Sequence, residues 1–341
     1  MRLPSFAGRM RNPVFLSIIA VALIGLSCLP ACQPGGSGQA DSITLGTSLL
    51  ETAAPIFVAE DRGIFAANGL DVTIKYYDTG LAQYNGMLKG EVNICGPTAE
   101  YILVSGAFKG DKIRVVACID TLDYFRIVAR KDSGISDIGD LKGKKVALAV
   151  GTIAEFYLGR SLELKGMSLK DVHLVNAASF PKAADAVASG EVDACVTPAP
   201  FAVSAVARLG GNAFVWPAQS GQAIYTLMIC PQTWVSQRPA TIERVIRSIK
   251  SAEDYMIQHP EETKGIIRKK LGVSDSEVSD MLSRNQFSLS LDQALIYAME
   301  DESRWMIGDN LTAQSQVPDF LSYIYIDGLN TVVPGAVNII R

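Results

Sequence analysis

Histidine is nearly missing from this chain of 341 residues, which contains only His173 and His259. Neither has a partner at metal-ligand spacing. The chain also lacks the G-x-S-x-G, Walker and G-x-G-x-x-G patterns, and its Gly-Lys-Lys run at 143 to 145 has no P-loop context. These absences argue against an enzyme, and we expect neither a metal ion nor a cofactor.

An excess of basic residues is also lacking, since 31 Lys and Arg stand against 35 Asp and Glu. A formal charge of -4 offers no basic surface for nucleic acid. The composition, 48% hydrophobic and 19% charged, is typical of a globular protein. Because 341 residues exceed what one hydrophobic core usually organises, we expect two lobes.

A long apolar run occurs once, behind Arg2, Arg9 and Arg11, from Val14 to Leu29. It is shorter than the roughly 20 residues that a membrane span needs, which favours a signal peptide. The run ends in Leu-Pro-Ala-Cys, which resembles a bacterial lipobox, although Pro30 replaces the usual small residue. We expect residues 1–32 to be a lipoprotein signal with lipidated Cys32, and residues 33–40 to be a flexible tether.

Four cysteines remain in the rest of the chain, with no C-x-x-C or Cys/His ligand spacing among them: Cys95, Cys118, Cys195 and Cys230. Small buried residues on strands are the favoured interpretation, and a disulfide is the alternative, because sequence does not give the distances between Cβ atoms.

Strand-like and helix-like segments alternate after residue 40, as in an α/β fold, and their order occurs twice. The first copy predicts strands at 43–47, 71–76 and 92–95 with helices at about 55–65 and 82–89. The second predicts strands at 146–150, 172–175 and 192–196 with helices at 153–165 and 180–188. The best match is Gly-Glu-Val-Asn-Ile-Cys at 90–95 with Gly-Glu-Val-Asp-Ala-Cys at 190–195.

Two apolar stretches, 125–129 and 223–229, bracket the second copy, and we expect them to be crossing strands that form a hinge. The helix-rich region from about Thr241 onward contains no third copy.

Three segments resemble the nitrate/sulfonate/taurine solute-binding proteins, which include binders of thiamine-pyrimidine precursors. They are PIFVAEDRGIFAANGLDV at 55–72, RIVARKDSGISDIGDLKGKKVALAVGT at 126–152, and the paired Gly-Glu-Val corners. The resemblance covers essentially the whole mature chain. It implies a type II periplasmic-binding-protein fold, with lobe I at 41–124 plus 224–341, lobe II at 125–223, and a ligand between them.

Ligands of open α/β sheets bind outside the carboxyl ends of the strands, so the loops there supply the candidate residues. In lobe I, Ser48 and Glu51 either form a capping box or leave Glu51 free for the ligand. In lobe II, Thr152 and Glu155 repeat this spacing at a clear helix start, which favours capping. Thr98 and Thr197 serve either the ligand or turn geometry. The full candidate set is Ser48, Glu51, Thr52, Gly80, Gln83, Thr98, Glu100, Tyr124, Thr152, Glu155, Phe156, Thr197, Pro198 and Tyr225; Phe125 is assigned to the core.

Inward-facing Glu51, Glu100 and Glu155 would favour a ligand with an amine or ring N–H groups over nitrate or sulfate. Taurine-like zwitterions and aminopyrimidines meet that condition, and sulfonates follow from the resemblance. We therefore expect a monomeric, extracytoplasmic, lipid-anchored receptor that delivers a small organic ligand to a membrane ABC permease. A thiamine-pyrimidine-synthase-like enzyme and a sensor lipoprotein without transport are the alternatives.

Overall fold

Two mixed β-sheets organise the chain in the computed structural model, which describes residue 1 and residues 40–219 and 221–340. Residues 40 to 341 form one structural unit. The predicted signal, Cys32 and nearly all of the tether lie outside the described residues. The strands are β1 (Asp41–Thr47), β2 (Leu70–Tyr76), β3 (Ile94–Ala99), β4 (Ile113–Leu122), β5 (Phe125–Arg130), β6 (Lys145–Leu148), β7 (His173–Asn176), β8 (Ala194–Pro198), β9 (Ala213–Pro217), β10 (Ile224–Pro231) and β11 (Asn285–Ser290).

Helices connect and cover these strands. They are α1 (Ala54–Asp61), α2 (Ile64–Ala67), α3 (Gly80–Leu88), α4 (Glu100–Lys109), α5 (Ile153–Glu163), α6 (Phe180–Ser189), α7 (Ala199–Leu209), α8 (Gln232–Gln237), α9 (Pro239–Gln258), α10 (Pro260–Leu271), α11 (Asp275–Ser283), α12 (Gln293–Gly308) and α13 (Asp327–Val332). The predicted helix at 55–65 is in fact two helices, because Gly63 adopts a left-handed φ of 64° between them.

The sheets repeat one arrangement, as the sequence predicts. The first has the order β11-β4-β10-β3-β1-β2 and the second β7-β6-β8-β5-β9. Each sheet contains three parallel strands that follow one another in the chain, β1 to β3 in the first and β6 to β8 in the second. The third of these strands, β3 or β8, also pairs with an antiparallel strand from outside the repeat, β10 or β5.

The two Gly-Glu-Val corners are equivalent in three dimensions. Asn93 accepts a hydrogen bond from the Thr44 amide at 2.7 Å, and Asp193 accepts one from the Lys145 amide at 2.9 Å. Each corner thereby ties the start of its third strand to the first strand. Because the corner residues form this turn, β3 and β8 begin two residues later than predicted, at Ile94 and Ala194. They also end later than predicted, at Ala99 and Pro198, and so include residues that were expected in loops at the cleft.

The expected crossing strands each lie within one sheet, β5 in the second and β10 in the first. The chain changes sheet instead in the segments between β4 and β5 and between β9 and β10. These places are close to the predicted lobe limits, 124/125 and 223/224, which stay a prediction.

The helix-rich C-terminal region packs mainly on the first sheet and its helices, and α9 contacts α1 and α13. It also supplies β11, an edge strand that the sequence reading missed. Helix α12 contacts both halves of the repeat through Trp305. The centroid of its ring lies 6.3 Å from that of Tyr101 in α4 and 5.2 Å from that of Phe156 in α5.

Gly159 of α5 leaves the space that Trp305 occupies. A Cβ atom at Gly159 would lie 2.2 Å from Cζ2 of Trp305, whose side chain is buried. We expect Gly159→Ala to lower the free energy of unfolding by about 1–2 kcal/mol, because overpacking outweighs the higher helix propensity of Ala. Urea unfolding measures this. Gly265→Ala in α10, where nothing lies within 4 Å of the new atom, should be neutral or stabilising; equal losses in both variants would contradict the packing argument.

The four cysteines are free and buried, as the favoured interpretation states. Burial raises the pKa of Cys95 and Cys195 to about 12, so these thiols stay protonated and unreactive. Among the described residues, none of the helices is both long and apolar enough to cross a bilayer.

Candidate ligand-binding site

A cavity of about 60 Å³ lies between the two sheets, at the carboxyl ends of their parallel strands. Both halves of the repeat contribute to its wall. The lining residues carry no ionisable side chain except the phenol of Tyr124, and most are apolar: Ser48, Leu50, Thr52, Gly80, Leu81, Pro97, Ala99, Ile102, Leu122, Tyr124, Phe125, Thr152, Ile153, Phe180, Ile224 and Thr226. A wall of this kind takes an organic molecule with an apolar body.

Several helices begin at this wall. Gly80 opens α3, Ile153 opens α5 and Phe180 opens α6, while Ala99 directly precedes α4 and gives it no side-chain cap. Helix N-termini carry a partial positive charge, and their first N–H groups are free unless a side chain binds them, as Thr79 does for α3 and Thr152 does for α5. Their convergence on a wall without acidic or basic side chains favours a compact anionic or strongly hydrogen-bond-accepting group on the ligand.

Of the candidate residues, Ser48, Thr52, Gly80, Tyr124 and Thr152 line this cavity. Thr152 also has a structural role, because its side chain accepts a hydrogen bond from the Ala154 amide at the start of α5. The Ser and Thr residues among them, Ser48, Thr52 and Thr152, are buried, and they supply polar contacts that an otherwise apolar pocket needs for orientation.

Six other candidates lie behind the wall. The Gln83 amide bonds the Gly96 N–H and the Pro97 carbonyl, and the Thr197 hydroxyl donates to the Phe180 carbonyl. Tyr225, Phe156, Thr98 and Pro198 are likewise not part of the lining: Tyr225 is half-buried on β10, Phe156 packs against Trp305, Thr98 is buried between two lining residues of β3, and Pro198 is buried at the end of β8.

The Glu51 carboxyl lies beside the wall. Its Oε2 accepts a hydrogen bond from the Tyr124 hydroxyl at 3.1 Å, and its Oε1 lies 3.8 Å from Nη2 of Arg284. The side chain is 1% exposed, and burial raises its pKa. No side chain caps the turn at Glu51 or the start of α1, so the capping box predicted for Ser48 and Glu51 does not form.

Glu155 binds backbone at the start of α5, although the reciprocal capping box with Thr152 does not form. Its Oε2 accepts a hydrogen bond from the Gly151 amide at 3.1 Å and lies 3.4 Å from the Tyr101 hydroxyl. Burial raises the pKa of Glu155, and these hydrogen bonds oppose that rise. The carboxyl is therefore engaged with the protein itself.

Glu100 is fully buried at the start of α4 and is not part of the cavity lining. Its Oε2 accepts a hydrogen bond from the Tyr225 amide at 3.1 Å, and burial raises its pKa to about 8. Since none of the three glutamates lines the cavity, the sequence argument for an amine-bearing ligand loses its basis at this wall.

The family model described as NMT1/THI5 like matches residues 51–263. The chain belongs to the NMT1/THI5-like family. A protein of Brucella abortus (strain 2308) that is named as a binding protein is 26% identical over 261 residues, which are 74% of this chain and 78% of that protein.

Among solved structures, the alkanesulfonate-binding protein SsuA from Xanthomonas axonopodis pv. citri bound to MOPS superposes with a TM-score of 0.74. It is 16% identical and covers 85% of this chain and 100% of its own. The desulfurization enzyme DSZB superposes with a TM-score of 0.63 at 17% identity, over 86% of this chain and 99% of its own. The periplasmic-binding-protein fold is thus confirmed, and these two solved structures show that the fold occurs both in a binding protein and in an enzyme.

Sequence reasoning missed the apolar part of the wall in this NMT1/THI5-like chain, most clearly Leu81, Ile102, Phe180 and Ile224. Phe125, assigned to the core, is buried and also lines the cavity. Their position in the chain was the available signal, because Leu81 is the second residue of α3 and Phe180 is the first residue of α6, and each of these helices follows a strand. Among the described residues, no group of His, Cys, Asp and Glu has the arrangement of a metal site.

Proposed function

We propose that this protein is an extracytoplasmic solute-binding lipoprotein of an ABC importer, anchored through Cys32, which captures an organic anion with an apolar body. A sulfonate is the ligand class that we favour. The observation that carries the proposal is the cavity between the sheets, whose wall is apolar and lacks acidic and basic side chains. The lipobox-like sequence and the family's binding proteins support export and capture.

The ligand class follows from matching the wall. A sulfonate head accepts hydrogen bonds from the helix N-termini and the buried hydroxyls, and an alkyl or aryl tail covers Leu81, Ile102 and Phe180. Nitrate and sulfate would leave the apolar wall unfilled. The ammonium of taurine would have no carboxylate on this wall, so we expect taurine to bind more weakly than a plain alkanesulfonate.

The enzyme alternative has less support. The cavity wall has hydroxyls but, among its lining residues, no His, Cys, Lys or carboxylate for general acid–base or nucleophilic chemistry. The two histidines lie elsewhere, His173 at the start of β7 and His259 between α9 and α10 beside Tyr255 and Glu262.

We expect hexanesulfonate to raise the unfolding temperature of the domain from residue 33 onward more than taurine, nitrate or an aminopyrimidine does. A ligand at about 100 times its dissociation constant adds roughly 2.7 kcal/mol of stability. Thr52→Val, which removes a hydroxyl from the wall and keeps the side-chain size, should weaken hexanesulfonate roughly tenfold in calorimetry.

Thr263→Val is the matched control, because the Thr263 hydroxyl in α10 is buried, has no hydrogen-bond partner in the part of the chain that the structure describes, and lies outside the wall. It should leave binding unchanged. Stabilisation by an aminopyrimidine but by no sulfonate would overturn the proposed ligand class.

A further inference from the structure

A second cavity of about 220 Å³ lies next to the first. Residues from the loop after β1, from α7 and from α10 and α11 line it. Leu50 belongs to the walls of both cavities. Glu51 belongs to the wall of the second cavity, and its Oε2 accepts a hydrogen bond from Tyr124, which lines the first cavity. The Glu51 carboxyl therefore stands at the partition between the two spaces.

The second cavity differs from the first in charge. Its wall has three carboxylates, Glu51, Glu277 and Asp280, and one cation, Arg284. The remaining lining residues are apolar and include Phe201 and Val203. An apolar wall with an excess of carboxylates favours an organic cation over an anion or an uncharged hydrocarbon.

Glu51 is the carboxylate in this wall that the protein leaves incompletely paired. Glu277 bonds the amide and hydroxyl of Ser274 at the start of α11, and Asp280 pairs with Arg284. Oε1 of Glu51 is buried and has no hydrogen-bond donor among the described residues. Its separation from Arg284, 3.8 Å, is too long for a hydrogen bond.

An unsatisfied buried carboxylate oxygen costs free energy unless a donor reaches it. A protonated amine that enters the second cavity would supply that donor and the opposite charge. Arg284 does not supply this hydrogen bond, because its Nη1 is paired with Asp280 and its Nη2 lies 3.8 Å from Oε1 of Glu51.

We propose that the second cavity is a subsite for the cationic end of a two-part ligand, with Glu51 Oε1 as the acceptor. The anionic and apolar part occupies the first cavity. This inference rests on the proposed function, which it narrows from organic anions to molecules that carry an amine at a distance from the anionic head. Taurine is then a poor ligand because its two charged groups are too close together to reach both spaces.

Calorimetry with matched probes tests the subsite: butane-, hexane- and octanesulfonate, their ω-amino counterparts, and hexylamine alone. At one or more chain lengths the ω-amino compound should bind at least about tenfold more tightly than the plain sulfonate, the usual scale of a charge-assisted hydrogen bond. Glu51→Gln should abolish this preference by lowering the affinity for the ω-amino compounds at least about tenfold more than the affinity for the plain sulfonates, because Gln still accepts a hydrogen bond from Tyr124 but has no charge to attract the amine.

Glu253→Gln is the control. Glu253 is also a buried glutamate with an unpaired oxygen, but it lies on α9 and lines neither cavity, so the preference should persist in this variant. The subsite would be overturned, and the proposed function kept, by either of two results. In the first, plain sulfonates bind and the ω-amino compounds bind no more tightly at any chain length. In the second, Glu51→Gln lowers the affinity for both series equally. If no sulfonate binds, the ligand class fails; the subsite then stands only if hexylamine binds in a Glu51-dependent way, and falls otherwise.

Discussion

Glu302→Gln is expected to raise the free energy of unfolding at pH 8 by at least about 1.4 kcal/mol, the equivalent of one pKa unit, since a buried carboxyl pair must otherwise hold a proton there. Glu302 of α12 and Glu100 of α4 are fully buried and interact with each other. Burial, reinforced by the charge of Glu100, holds the pKa of Glu302 well above its ordinary value, and burial raises that of Glu100 to about 8.

The sign of the pH dependence follows from these raised values. Below about pH 4.5 both carboxyls are protonated in the folded and the unfolded chain, so neither affects stability. As the pH rises from there to about 8, the unfolded chain loses protons that the folded chain retains, and stability falls. Asp120 adds to the same trend, because burial raises its pKa to about 8 as well.

Urea unfolding from pH 5 to pH 8 measures both effects. The wild type should become less stable over this range, and Glu302→Gln should reduce the slope, because the amide cannot ionise. Glu300→Gln, on the same helix but only half-buried and paired with the exposed Arg304, should change stability by less than about 1 kcal/mol. An unchanged slope in Glu302→Gln would show that the buried pair does not set the pH dependence.

The repeated α/β order was predictable because it depends on local patterns. Apolar runs and glycine punctuation predict strands and helices, and the duplicated corners at Gly90 and Gly190 place the third strand of each copy. The observed strand boundaries differ from the predicted ones where a side chain binds backbone. Asn93 and Asp193 accept hydrogen bonds from amides of the first strand of each copy, and β3 and β8 therefore begin later than predicted. Edge strand β11 was missed because Asn285–Ser290 is a short polar segment between helices.

The direction of side chains at the cleft was less predictable. A glutamate in a cleft loop can point toward the ligand or bond to the protein itself. Which of the two directions it takes depends on partner residues that are distant in sequence. Arg284 lies 3.8 Å from Glu51, the amide of Tyr225 binds Glu100, and Glu302 lies in a helix that the repeat does not contain. The hydroxyls of Ser48, Thr52 and Thr152 were easier to place, because short side chains directly after a strand have little reach.

Ala99→Phe is expected to weaken sulfonate binding by at least about a hundredfold, equivalent to about 3 kcal/mol. Ala99 ends β3, precedes α4 and lines the first cavity, with a backbone φ of -60° and ψ of 144° that Phe adopts without strain. The added ring would occupy the space between Ile102, Phe180 and Ile224 that we assign to the ligand. Because the ring buries apolar surface, the unfolding temperature should stay the same or rise.

Calorimetry with hexanesulfonate and a thermal melt of the same samples separate lost binding from lost folding. Ala66→Phe adds an identical side chain at an exposed position of α2 and should leave affinity unchanged. If Ala99→Phe kept full affinity in a folded protein, the first cavity would not hold the ligand, and the charged second cavity beside Glu51 would have to hold all of it. Since that wall carries an excess of carboxylates, hexylamine rather than hexanesulfonate would then be the tighter probe, and the assignment of the anionic head to the helix N-termini would fall.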